Sequence, residues 1–82
     1  MADTGTTVYV LTHGKFVLMG GTVRSEILVR GLNVLRHMEL TEHEWAPDPY
    51  LPQRLVLKYK PRRSGRWNVS DIVVTAVTLQ ES

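Results

Sequence analysis

Residues 67–79 constrain the fold more than any other stretch of the sequence. They are dense in Val, Ile and Thr, the composition of an extended strand. Ile72, Val74 and Ala76 fall on one face of the pleat, and Val73, Val77 and Leu79 on the other. Such a strand has no wet side. It must be central and covered twice, or it must pair with another subunit. The chain has 82 residues, enough for one domain and one core but little for two covering layers.

The remaining elements follow from pattern. Thr6 to Leu11 is β-branched and aromatic, Thr12 to Lys15 carries a turn glycine, and Phe16 to Met19 is apolar before Gly20-Gly21. Together residues 6–20 predict a β-hairpin. At 100° per residue, Ile27, Leu28, Gly31, Leu32, Val34, Leu35 and Met38 share one side, which predicts a helix of about 15 residues from Ser25 or just before it. Ser25 is the expected N-cap, with Glu26 well placed against the helix dipole. Gly31 in its middle costs about 1 kcal/mol relative to Ala, a cost that a close helix–sheet contact would explain.

Thr41-Glu42-His43-Glu44 has the capping-box pattern, but Pro47, Pro49 and Pro52 allow a single turn at most. Residues 45–53 are therefore expected to be a loop, with Trp45 and Tyr50 folded back on the core. Arg54 to Lys60 alternates, with Leu55, Leu57 and Tyr59 on one face and Arg54, Lys58 and Lys60 on the other. Pro61 ends this strand, residues 62–66 turn, and 67–79 return, with a break expected near Ser70-Asp71. The predicted fold class is α+β: a small antiparallel sheet of two β-hairpins with one helix packed on it, residues 1–82 forming a single domain. A small all-β barrel is the alternative if the central segment is extended.

Charge supplies the functional signal. The net charge is only +2, yet residues 1–50 sum to −2 while residues 51–70 carry six cations and no acid. Lys58, Lys60, Arg62, Arg63 and Arg66, interleaved with Tyr59 and Trp67, combine phosphate-binding cations with faces on which bases can stack. These residues predict a non-enzymatic module whose basic hairpin contacts nucleic acid or another polyanion, with Arg62, Arg63 and Arg66 supplying attraction, Lys58 and Lys60 extending the track and Trp67 stacking. The alternative is a homo-oligomeric structural or accessory protein acting through protein–protein contacts, its cations meeting an acidic partner surface. A small-ligand binder or enzyme in a dimer groove comes third. The two-faced closing strand predicts a homodimer unless the 41–53 loop covers the second face with Trp45, Tyr50 and Leu51.

Other chemistry finds little support. There is no cysteine, which removes disulfides, thiolate ligands and thiol nucleophiles. His37, Glu39, Glu42, His43 and Glu44 bring ligand types together, but at no zinc spacing, so neither a metal nor a cofactor is expected. Ser25, Ser64 and Ser70 lie outside any nucleophile-elbow context, and Gly20-Gly21 lacks the lysine of a P-loop. No apolar run is long enough to span a bilayer, and Met1 to Gly5 carry an acid and no apolar stretch, so no signal peptide and a cytoplasmic location are expected.

Overall fold

In a computed structural model, which describes residues 5–79, the chain forms five strands and one helix. They are β1 (Thr6–His13), β2 (Phe16–Gly21), α1 (Arg24–Asn33), β3 (Leu40–Pro47), β4 (Arg54–Pro61) and β5 (Asn68–Leu79). All five strands join one antiparallel sheet in the order β2-β1-β5-β4-β3. The sheet is open, with β2 and β3 as its edges, so it is not a barrel. The molecule is mostly sheet, with a single helix laid on one side.

β5 occupies the centre, as its two apolar faces require. It pairs with β1 along eight residues, from Thr6 opposite Leu79 to His13 opposite Ile72. On its other side it pairs with β4. Gly14 takes a φ of 61° in the β1–β2 turn, a conformation that costs glycine little.

The register assigns the faces. Leu11, Leu57, Ile72 and Val74 point toward α1 and are buried with Ile27 and Leu35. Tyr9, Met19, Leu32, Met38, Trp45 and Tyr59 pack around them. Leu28, Val34 and Leu40 join them, and among the described residues the core lies between the helix and one face of the sheet.

The expectations for the helix and for residues 40–47 need correction. The helix covers ten residues rather than about 15; from Val34 to Met38 the chain continues in turns closed by bonds three residues apart, such as Leu35 N–H to the Leu32 carbonyl at 3.0 Å. Such tighter turns keep Leu35 on the apolar side, so the sequence pattern does not register the change. Ser25 is not the N-cap: the helix begins after Val23, and no side chain caps it. Residues 40–47, expected as a turn and the start of a loop, form the edge strand β3. Its polar residues and terminal Pro47 suit an edge, where one side of the backbone is free of pairing.

Trp45 packs on the core as expected, whereas Tyr50 is 89% exposed and does not. β5 is not broken near Ser70-Asp71 as expected but runs unbroken from Asn68 to Leu79; what falls there is a register shift, β4 advancing from Val56 to Lys58 while β5 goes from Val73 to Val69. The Ser70 hydroxyl stitches it, donating to the Leu57 carbonyl at 2.7 Å and accepting from the Ile72 N–H at 3.1 Å.

Candidate interaction surface

β3 changes the electrostatics of the basic hairpin. In its register with β4, Glu42 lies opposite Lys60 and Glu44 opposite Lys58. Lys60 Nζ sits 3.1 Å from Glu42 Oε2. Arg62 approaches Glu39 at 3.8 Å, and Arg54 approaches Asp48 at 3.7 Å. Four of the six cations that stand together in sequence therefore lie beside acids from a neighbouring stretch. Such exposed pairs add little stability, but they flatten the local potential.

What remains positive is the β4–β5 turn. Arg63 and Arg66 form no ion pair among the described residues, and both are exposed. Gly65 turns the chain with a φ of 64°, and Trp67 follows at 47% exposure. An open cleft of about 550 Å³ runs beside this turn, lined by His37, Met38, Glu39, Pro61, Arg62 and Arg63. Tyr59 faces the helix side and packs on the core, so it is no stacking platform.

The carboxylates and imidazoles of residues 37–44 are dispersed. Alternation along β3 puts Glu42 and Glu44 on one face and His43, opposite Tyr59, on the other. Near the β1–β2 turn, His13 Nε2 lies 3.0 Å from Asp71 Oδ1, and the Gly14 N–H donates to the Asp71 carbonyl at 3.0 Å.

The second surface is the face of the sheet turned away from α1. Val8, Val10 and Thr12 of β1 stand there beside Val73, Thr75, Val77 and Leu79 of β5, with Val56 of β4 and Ala46 of β3 continuing the row. Val17 of β2, opposite Thr12, extends it to the far edge and is 70% exposed. No other described element packs over this face. The 48–53 loop leaves it bare: Gln53 extends in the plane of the sheet, its carbonyl accepting the Ala76 N–H at 2.9 Å, and Leu51 is 38% exposed.

Charge is confined to one side of this face. Arg54, Lys58 and Lys60 on β4 are matched by Asp48, Glu44 and Glu42, so the face carries no formal net charge. Among the described residues, no helix is long and apolar enough to cross a membrane. No family model matches the chain, and neither a curated protein nor a solved structure matches it.

Proposed function

We propose that the protein is a non-enzymatic structural or accessory module that associates with itself through protein–protein contacts. One observation carries this reading: the β1–β5 part of one sheet face, built largely of valines and threonines, has no described helix or strand over it. Val17, Val77 and Leu79 are exposed on it and Val8, Val10 and Val73 half-buried, and a contiguous apolar patch of this kind marks an interaction site. The basic track, by contrast, is largely matched by the acids of β3. Light scattering coupled to gel filtration between about 1 and 200 µM tests it, at about 50 and 500 mM salt. Association that grows with concentration and persists in high salt is expected. A monomer at every concentration overturns the reading.

A second reading keeps polyanion contact but narrows it to the turn. Arg63 and Arg66 lack ion-pair partners among the described residues and stand next to the exposed Trp67. Fluorescence anisotropy with labelled single-stranded DNA, duplex DNA and RNA, comparing the wild type with an Arg62, Arg63, Arg66→Ala variant, tests it. Binding that falls steeply with salt and is lost in the variant supports this reading. Equal binding by the variant rejects it.

A further inference from the structure

We infer that the occupant of the bare sheet face is a second copy of the chain, the two sheets stacking face to face with their helices outward. The inference rests on the self-association proposed above and adds the surface and the geometry.

Area is the first argument. Five strands at about 4.8 Å spacing and eight residues at about 3.3 Å rise give a face of roughly 600 Å² before side-chain relief is counted. A stable interface needs roughly 800 Å² from each partner. The flat face falls about a quarter short of that, so a stable pair must use all of it, side-chain relief included.

Charge is the second. Lys60 with Glu42, Lys58 opposite Glu44 and Arg54 with Asp48 leave the face neutral. A copy of the same face meets no like-charge field, whereas a strongly acidic or basic partner gains nothing from it. The charged pairs sit along β3 and β4, beside an apolar centre on β1 and β5. The apolar part can therefore be buried dry while the charged pairs stay along one margin.

The third argument concerns the edges, the other route by which a sheet recruits a copy. β2 carries a bulge, its partner in β1 advancing from Leu11 to Thr12 while β2 steps from Met19 to Val17 and leaves Leu18 unpaired. β3 presents Glu42, His43 and Glu44. Bulges and charges are the devices that stop edges from pairing, so both edges are blunted while the face is open. Aligned sheets packed about 10 Å apart would let Val10, Val73 and Val77 interdigitate with their counterparts.

The test combines a substitution with a distance. Val10→Lys and Val77→Lys, singly and together, place an unpaired ammonium in the apolar centre. Association is expected to weaken at least about tenfold, with the far-ultraviolet circular dichroism unchanged. In parallel, a spin label on Val29→Cys, exposed on the outer side of α1 in a chain with no native thiol, reports the separation of the two helices. Two stacked sheets with a helix on each outer side put the labels roughly 30–40 Å apart. If a lysine variant unfolds, the label alone decides. A dimer that survives both lysines, or labels closer than about 20 Å, overturns the face-to-face arrangement and leaves self-association standing. A wild-type monomer throughout overturns both.

Discussion

Gly31 of α1 rests against the ring of Trp45 from the edge strand: a Cβ at position 31 would lie 2.7 Å from Trp45 Cη2, 2.8 Å from Cζ2 and 3.1 Å from Leu11 Cδ1. The missing side chain is what lets the helix come down on the sheet, and the indole from β3 fills the space it leaves. Gly31→Ala gains about 1 kcal/mol of helix propensity but forces atoms closer than packing allows, at about 1–3 kcal/mol. A net loss of up to about 2 kcal/mol is expected in urea denaturation. In a Trp45→Leu background the same substitution should cost less or stabilise. Equal costs in both backgrounds would show that the indole is not the obstacle.

The core is small enough for single truncations to be decisive. Leu57 and Ile72 are 0% exposed, and the remaining fully enclosed side chains are few. Removing their methyl groups costs about 2–5 kcal/mol. A domain of this size has a total stability near the lower end of about 5–15 kcal/mol. Leu57→Ala and Ile72→Ala should therefore lower the urea midpoint sharply and leave a population unfolded in buffer, read by circular dichroism. A shift below about 1 kcal/mol would mean the site collapses to fill the void.

The two serines of the β4–β5 hairpin should behave differently. Ser70 holds the β4–β5 register shift through Leu57 and Ile72, so Ser70→Ala strands a carbonyl and an N–H, at about 1–2 kcal/mol. Ser64 accepts only from the exposed Arg66 N–H at 3.3 Å, and Ser64→Ala should stay within about 0.5 kcal/mol. Chemical denaturation of the pair checks this, and hydrogen exchange at Ile72 should rise only in the Ser70 variant.

The acids of β3 mask the basic track, and their removal should unmask it. Glu42→Gln with Glu44→Gln breaks exposed pairs, so stability should change by less than about 0.5 kcal/mol. Affinity for a single-stranded oligonucleotide at low salt should rise several-fold, because Lys58 and Lys60 lose the acids beside them. Anisotropy measures it, and an unchanged affinity would show that the acids do not screen the track.

Much of the fold was legible because its signals are local. The turn glycine, the alternation from Arg54 to Lys60 and the 100° periodicity around Ile27 each need only a few neighbours to be read. β3 was not legible for the opposite reason: a polar edge strand turns Leu40 and Trp45 to the core and otherwise reads as a charged loop. Missing that strand also hid the electrostatics. Lys60 and Glu42 are 18 residues apart, and no sequence window reports that they touch.

The sequence by itself determined that residues 67–79 form a strand apolar on both sides and that six cations stand together. Both are matters of composition and period two. Only the tertiary structure decided what those facts amount to. It put β5 at the centre of a sheet that the described elements cover on one side, because ten residues of helix and one short turn segment are what the described residues place in a second layer. It also laid Glu42 and Glu44 along the basic strand, because strand pairing joins residues by register rather than by distance along the chain.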